Sequence, residues 1–174
     1  DIIVYSSNIG ILQIVQRLSG QDFVSGLKDF GFTKKTGIDL PYEKTGTMKA
    51  LYKFRAGEKQ GKDNVYKATT SYGQGMTSTF MQMMKAYTVF NNDGFIVTPQ
   101  VVSSLLSPNN KKFVIDPQEP VKVISKRSSD QIKRMLIKTV KKGTGENADV
   151  EGLEVGGKTG TAQMARGGKY LQKY

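Results

Sequence analysis

Histidine, cysteine and tryptophan are absent from the 174 residues of this chain. Without histidine and cysteine, the chain alone cannot form a Ser-His-Asp or Cys-His catalytic set. It also cannot form a zinc site of cysteine and histidine or a disulfide. Any catalysis must therefore use serine, threonine, lysine, tyrosine or carboxylate groups. The sequence predicts no metal and no cofactor.

Long apolar runs are lacking as well. No segment approaches the roughly 20 apolar residues of a membrane span. The first five residues, DIIVY, have neither the basic region nor the long apolar stretch of a signal peptide. Such a start is typical of the interior of a fold, so we expect this chain to be a piece of a longer polypeptide.

Acidic residues are outnumbered, 15 against 26 basic residues, and the net charge is +11. Only five of the basic residues are arginine, the residue that recognition of bases and phosphates favours. A lysine-rich solvated surface is therefore the favoured interpretation, with no nucleic acid as a partner. A basic module that binds nucleic acid or another polyanion remains the rival hypothesis.

Apolar periodicity predicts two helices near the start of the chain. Ser19 and Asp22 resemble a capping box for the second helix, and Gly31 is suited to end it. The first helix has one apolar face, formed by Ile11, Leu12, Val15 and Leu18. The second is lined by Phe23, Leu27 and Phe30.

The centre of the chain predicts a loop followed by a strong helix. Residues 32–67 have loop composition. The helix is expected over about 77–91, capped by Thr77 or Ser78 and stopped before Gly94. We expect its apolar face to fill the core, although a methionine-rich face could also bind a partner. That face consists of Phe80, Met83, Met84, Tyr87 and Phe90.

Strands are predicted in the second half of the chain, around one more helix. Residues 95–97 and 101–102 are expected to be short strands, and residues 113–115 and 121–124 a hairpin. A helix capped at Ser128 should reach Lys142, with a buried stripe of Ile132, Met135, Leu136 and Val140. Residues 154–163 predict a strand that another group approaches closely. The predicted fold class is α/β (α+β).

The tripeptide Lys-Thr-Gly occurs at 35–37, 44–46 and 158–160. The first two copies lie in the predicted loop, which gives their lysines no rigid frame. The third lies in the context GGKTGTA, where a narrow strand edge lets a peptide backbone lie alongside. The copy at Lys158, Thr159 and Gly160 is therefore the functional candidate.

Two serine motifs compete for a catalytic assignment. Ser6, Ser7 and Asn8 precede a helix and, taken alone, indicate an N-cap. Ser25 and Lys28 match the Ser-x-x-Lys pattern of lysine-activated serine enzymes. Because Ser25 falls inside the second helix and follows Ser-x-Asn along the chain, we take that match to be structural.

Ser-x-Asn followed by Gly-Gly-Lys-Thr-Gly-Thr-Ala resembles the class B penicillin-binding proteins, the peptidoglycan D,D-transpeptidases. The resemblance extends over nearly the whole chain. It implies that residues 1–174 are part of a single transpeptidase domain. Residues 167–170 with Lys173 and Tyr174 resemble the division-specific, septal members. Further segments in family order are GIDLP at 37–41, YGQGM at 72–76, AY at 86–87 with NNDG at 91–94, PQVV at 99–102 and GTGENA at 143–148.

The resemblance implies a role for each matching residue. Ser6 would relay a proton towards the leaving nitrogen, with Lys158 close to it, and Asn8 would bind the donor peptide's carbonyl. Thr159 and Thr161 would bind the substrate carboxylate, and the Thr161 backbone N–H would be one donor of the oxyanion hole. Gly160 would keep the strand narrow. The implied fold is the penicillin-binding-protein and serine β-lactamase-like transpeptidase fold, in part.

The resemblance also implies partners that this chain lacks. The family's nucleophile and base lie in a Ser-x-x-Lys motif ahead of Ser-x-Asn, so this chain alone should be inactive. The remainder of the polypeptide, or a companion chain, would supply that motif, and the sheet strands after Lys-Thr-Gly would lie beyond Tyr174. The expected ligands are peptidoglycan stem peptides and β-lactam antibiotics. The implied location is periplasmic, anchored in the cytoplasmic membrane, with membrane proteins of the division complex as partners.

Three alternatives stay open at this point. One is an elongation-type penicillin-binding protein or a penicillin-recognising sensor. The second is the basic polyanion-binding module. The third is a scaffold segment of a division complex whose methionine-rich helix binds a partner.

Overall fold

The computed structural model describes residues 1–161, 165–166 and 169–170. It combines helices with pairs of short antiparallel strands, which confirms the predicted mixed α/β class. The chain forms two compact units. The first comprises Asp1–Gly26, Met48–Thr77 and Gln131–Tyr174, and the second comprises Leu27–Thr47 and Ser78–Asp130.

Local capping signals correctly predict the first two helices. Helix α1 spans Asn8–Val15, and Ser7 is its N-cap, accepting a hydrogen bond from the Gly10 N–H. Leu18, expected on the same helix, lies beyond its end.

Helix α2 spans Gly20–Asp29 and begins after a side-chain cap. The Ser19 hydroxyl accepts from the Asp22 N–H at 3.0 Å and donates to the Asp22 carboxylate at 2.7 Å. Gly31 follows the helix with φ +86°, the left-handed conformation that favours glycine.

The prediction that residues 32–67 form a loop is wrong in its second half. Helix α3 spans Leu51–Arg55, a short 3-10 helix spans Glu58–Gln60, and helix α4 spans Val65–Ser71. The physical reason is burial of Phe54, which is fully enclosed. Its ring packs against Phe23 and Tyr66, with centroids 5.9 and 6.4 Å apart, and this packing overrides the lysine-rich composition.

Helix α5 spans Phe80–Asn91, so it ends where predicted and begins three residues after the expected start at about 77. Its cap is Thr79, instead of Thr77 or Ser78, because Thr79 and Gln82 form a reciprocal capping box. Gly94 follows the helix with φ +92°, as the predicted stop requires.

The expectation that the methionine face of α5 fills the core is wrong. Phe80, Met83, Met84 and Tyr87 are 37–75% exposed. The buried stripe is Gln82, Ala86 and Val89, at i, i+4 and i+7. Gln82 is buried because all four hydrogen-bonding positions of its amide are used, by the N–H groups of Gly46 and Thr79 and by oxygens of Lys34 and Thr45.

The predicted strand pairing is also wrong, although most of the strands exist. Strands β1 (Phe95–Ile96) and β4 (Val121–Lys122) pair with each other, and β2 (Ser104–Leu106) pairs with β3 (Lys112–Val114). A turn over residues 107–111 joins β2 to β3, with Asn110 at φ +61°. That local turn closes the β2–β3 hairpin, which leaves β4 to pair with β1.

Residues 101–102, expected to be a strand, bond to a side chain instead. The Asp39 carboxylate accepts the backbone N–H groups of Val101 and Val102 at 2.8 and 2.6 Å. These bonds lower the pKa of Asp39 below its ordinary value. Strands β5 (Ala165–Arg166) and β6 (Lys169–Tyr170) form the third antiparallel pair.

Helix α6 spans Lys126–Lys142 and begins three residues before the start that a cap at Ser128 predicts. Ser125, not Ser128, is the capping side chain, and its hydroxyl accepts from the Ser128 N–H at 3.1 Å. Leu136 and Val140 of the predicted stripe are buried, whereas Met135 is 43% exposed. Thr139, which bonds to the Met135 carbonyl, is buried instead.

No strand forms over residues 154–161, contrary to prediction. Ala162 and Gln163 of that predicted strand lie outside the described residues. The septal interpretation depends on residues 167–170 with Lys173 and Tyr174. These residues also lie outside the described ones, apart from the backbone of Lys169 and Tyr170.

Candidate functional site

The turn that presents Ser6 leads directly into helix α1. Ser7 holds the helix cap, which leaves the Ser6 hydroxyl free of that role. Ser6 is exposed and adopts φ +54°, a left-handed conformation that is costly for a residue with a side chain. Its backbone N–H donates to the Ile3 carbonyl at 3.2 Å, so the turn itself maintains this conformation.

The C-terminal end of helix α6 fixes the residues that precede Ser6. The Thr144 N–H donates to the carbonyl of buried Val4 at 3.1 Å. Gly143 lies so close to Val4 that a Cβ added there would be 2.3 Å from the Val4 oxygen. Position 143, which directly follows the last residue of α6, therefore requires glycine for close backbone approach.

The same helix fixes the residues that precede Lys158. The Gly157 N–H donates to the Leu136 carbonyl at 3.2 Å. An added Cβ at Gly156 would lie 3.3 Å from Leu136 and Ile137 atoms. The second half of α6 thus holds both the Val4 segment and the Gly156–Gly157 segment.

These two contacts bring Lys158 and Ser6 together. The Lys158 ammonium donates to the Ser6 hydroxyl at 2.8 Å, and to the carbonyl and hydroxyl of Thr159, each at 3.0 Å. All three acceptors are neutral oxygens. Burial lowers the pKa of Lys158 below its ordinary value, because partial desolvation disfavours the charged form.

The Thr159 hydroxyl has a second neighbour, Thr144, at 3.1 Å between the two Oγ1 atoms. Four side chains therefore form one hydrogen-bonded chain, in the order Ser6, Lys158, Thr159 and Thr144. It unites residues from the start of α1, the end of α6 and the 156–161 segment.

The remaining predicted site residues lie next to this hydrogen-bonded chain of side chains in the sequence. Asn8 is the first residue of α1, two positions after Ser6, and its side chain is exposed. Gly160 and Thr161 follow Thr159 and are also exposed. A Cβ added at Gly160 would meet no described atom within 4 Å, so packing among the described residues does not require glycine there.

The other Lys-Thr-Gly copies have structural partners in the second unit. Thr36 is buried, and the Glu43 carboxylate accepts its N–H and hydroxyl, each at 2.6 Å. Gly46 and Thr45 bond to the Gln82 amide. Both copies lie in loops, as the sequence predicts.

The competing Ser-x-x-Lys match is confirmed to lie within helix α2. Ser25 is internal to Gly20–Asp29, and Lys28 lies in its last turn. Within the described residues there is no cluster of three or more carboxylate side chains suited to a metal ion. Among those residues, too, no helix has the length and apolarity that crossing a membrane requires.

Sequence reasoning missed the positioning role of Gly143 and Thr144. In the sequence they stand out only as part of the segment GTGENA at 143–148, which resembles the family. A signal was present, because a glycine followed by a small hydroxyl residue after a helix suits close packing of two backbones.

Known proteins resemble the chain in both sequence and fold. The sequence matches the family described as the penicillin binding protein transpeptidase domain over residues 1–174. It is 41% identical over 175 residues to stage V sporulation protein D of Bacillus subtilis, covering 99% of this chain and 26% of that protein. It is 27% identical over 190 residues to the peptidoglycan D,D-transpeptidase FtsI homolog of Mesostigma viride, covering 100% of this chain and 31% of that protein.

The fold is similar to that of penicillin-binding protein 3 of Mycobacterium tuberculosis in its crystal structure with ampicillin. The TM-score is 0.86 at 28% sequence identity, covering 98% of this chain and 38% of that chain. The chain therefore spans between a quarter and two fifths of these relatives.

Proposed function

Because the chain belongs to the penicillin-binding protein transpeptidase family, we propose that residues 1–174 are part of one transpeptidase domain of a class B penicillin-binding protein. The proposed reaction is D,D-transpeptidation of peptidoglycan stem peptides through a serine acyl-enzyme, which β-lactams block by acylating the same serine. This activity is that of the whole protein, of which the chain supplies part of the active site.

One observation carries the proposal, the 2.8 Å hydrogen bond from Lys158 Nζ to Ser6 Oγ. Lysine and serine hydroxyls can carry out acid–base catalysis without histidine, which this chain lacks. A partly desolvated lysine beside three neutral oxygens also makes the site positive, which suits a substrate that carries a carboxylate.

The direction of this bond gives Ser6 a defined proton to donate. An ammonium group is only a donor, so Ser6 Oγ accepts from Lys158, and the hydroxyl proton of Ser6 points elsewhere. When the amide or β-lactam C–N bond breaks, that proton passes to the leaving nitrogen, and Lys158 gives a proton to Ser6 in its place. The leaving nitrogen gains one proton, and Lys158 becomes a neutral amine.

The other residues are proposed to bind the substrate. Asn8 hydrogen-bonds the donor peptide's carbonyl, and the hydroxyls of Thr159 and Thr161 bind its carboxylate. The Thr161 N–H contributes to the oxyanion hole. Gly160 leaves room for the substrate backbone, in agreement with the open surroundings of its added Cβ.

The nucleophile and its lysine base come from a Ser-x-x-Lys motif outside this chain. We propose that the remainder of the polypeptide or a companion chain supplies them, and that the segment alone is inactive. Ser25 and Lys28 do not serve, since both lie within helix α2, which follows Ser6 along the chain, whereas the family motif precedes Ser-x-Asn.

Penicillin labelling of the intact protein tests this proposal. The full gene product that contains this segment should gain the mass of one benzylpenicillin, whereas the isolated segment 1–174 should gain none. In the full protein, Ser6→Ala and Lys158→Ala should slow the gain by about 10²–10⁴-fold. Absence of any mass gain in the unmodified full protein would refute the enzymatic assignment.

Two cellular roles are candidates for the whole protein. The proposed role is septal wall synthesis, with division-complex membrane proteins as partners and a periplasmic domain anchored in the cytoplasmic membrane. A role in sporulation is the second candidate, because the 41% identical relative is named a stage V sporulation protein. Protein present throughout growth supports the septal role, and protein present only during sporulation supports the second.

A further inference from the structure

Thr144 is the last member of the hydrogen-bonded chain that starts at Ser6, and the family resemblance assigns it no role. We propose that Thr144 is a positioning residue that directs the hydroxyl proton of Thr159 towards the substrate carboxylate. This inference rests on the proposed function, in which Thr159 binds that carboxylate.

The argument follows from the hydrogen-bonding capacity of one hydroxyl. Thr159 Oγ1 has one proton to donate and two positions that accept. The Lys158 ammonium fills one accepting position at 3.0 Å. The contact with Thr144 Oγ1 at 3.1 Å either fills the second accepting position or takes the proton.

An arriving carboxylate selects between these two arrangements. An ionised carboxylate only accepts hydrogen bonds, so it can bind Thr159 only through the Thr159 proton. That proton is available when Thr144 donates to Thr159. Thr144 then fills the second accepting position, and the Thr159 proton is directed away from both Lys158 and Thr144.

The backbone holds Thr144 in place for this role. Its N–H is bonded to the Val4 carbonyl, and Gly143 beside it packs against the same oxygen. The position of the Thr144 hydroxyl is therefore set by the end of α6 before any substrate binds. Such preorganisation is what a hydrogen-bond donor needs to favour one orientation of its neighbour.

Substitutions at Thr144 can distinguish the effect of its hydroxyl from the effect of its backbone hydrogen bond. Thr144→Val keeps the shape, the β-branch and the N–H bond to Val4, and removes only the hydroxyl. Thr144→Ser restores the hydroxyl. The control variant is Thr139→Val on α6, where the lost hydroxyl bonds within the helix to the Met135 carbonyl.

The experiment measures acylation of the full protein by benzylpenicillin and by its methyl ester, followed as intact mass over time. The ester has the same reactive ring and no carboxylate. Thr144→Val should slow acylation by benzylpenicillin about tenfold, since a hydrogen bond to a charged group is lost. Acylation by the ester should change less than about threefold, and Thr144→Ser and Thr139→Val should both behave like the unmodified protein.

Four results separate the possible failures. Equal slowing with both compounds in Thr144→Val would indicate a merely structural role and overturn the inference, as would unchanged rates with both. Failure of Thr144→Ser to restore the preference for the carboxylate would overturn it too. If the unmodified protein is not acylated at all, it is the proposed function that fails.

Discussion

Lys158 Nζ lies 2.8 Å from Ser6 Oγ, although 152 positions separate the two residues along the chain. Helix α6 accounts for this proximity. Its C-terminal end binds the segment before Ser6 through Gly143 and Thr144, and its middle binds the segment before Lys158 through the Leu136 carbonyl. The reactive pair thus depends on a helix that contributes no side chain to it.

The pH dependence of acylation should report the environment of Lys158. Because burial lowers the pKa of Lys158, the ammonium form is lost at a lower pH than for an ordinary lysine. The acylation rate of the full protein should therefore fall with a midpoint below about 10.4. The measurement is the β-lactam acylation rate against pH, corrected for hydrolysis by hydroxide.

The control for that profile is Lys133→Ala, which removes an exposed lysine of helix α6. It should leave the alkaline midpoint unchanged. A midpoint at or above the ordinary lysine value in the unmodified protein would contradict the role given to Lys158.

Close approach at Gly143 should make the site sensitive to a single methyl group. In Gly143→Ala, the new Cβ must move away from the Val4 oxygen, which lies 2.3 Å from its ideal position. The free energy of unfolding of the full protein should fall by about 1–3 kcal/mol, and penicillin acylation should slow because Ser6 moves. Chemical denaturation and intact-mass labelling provide the two measurements.

Gly26→Ala is the matched control. Gly26 lies within helix α2, and its added Cβ would meet no described atom within 4 Å. This change should raise stability by about 0.5–1 kcal/mol, since alanine is the better helix former. Equal effects of the two substitutions would refute the role of close packing at Gly143.

The buried Gln82 amide should be indispensable to the second unit. Gln82→Leu leaves the Gly46 N–H and the Lys34 carbonyl without the partner that each has in the structure. We expect the free energy of unfolding to fall by about 2–4 kcal/mol. Gln131→Leu, at an exposed position of α6, should change it by less than about 0.5 kcal/mol. A small effect at Gln82 would contradict the observed burial.

Acid should weaken the contact between Asp39 and the 101–102 segment. The N–H groups of Val101 and Val102 lower the pKa of Asp39, so its ionised form stabilises the folded state. That stabilisation is complete above the ordinary aspartate pKa of about 3.9 and is lost as the pH falls through the lower folded value. The stability difference between the unmodified protein and Asp39→Asn should therefore shrink below about pH 4. The measurement is urea unfolding between pH 7 and pH 3, and a difference that does not depend on pH would oppose this account.

Local signals explain which elements the sequence predicts well. Ser19 with Asp22 caps α2 within three residues, and Gly31 and Gly94 end helices by their own backbone conformation. Such signals need no information from distant parts of the chain. They predicted α1, α2, α5 and α6 to within a few residues.

Long-range contacts explain the errors. Phe54 stabilises a helix in lysine-rich sequence because Phe23 and Tyr66 surround it, and none of these partners is adjacent in sequence. Gln82 is buried because backbone groups near residues 34 and 46 complete its hydrogen bonds. A polar residue on an apolar helix gives no sequence signal for such partners.

The candidate site was predictable only in part for the same reason. The resemblance assigned Ser6 and Lys158 to one site, and the structure brings them within hydrogen-bond distance. Thr144 joins them through a backbone bond to Val4, 140 positions earlier, which no local pattern indicates.

A double-mutant cycle on Ser6 and Lys158 tests the central claim most directly. Acylation rates with benzylpenicillin would be measured for the full protein, Ser6→Ala, Lys158→Ala and the double variant. If the pair transfers one proton as a unit, the double variant should be no slower than the slower single variant. If the double variant is instead slowed by the product of the two factors measured for the single variants, the residues act independently. That result would contradict the account.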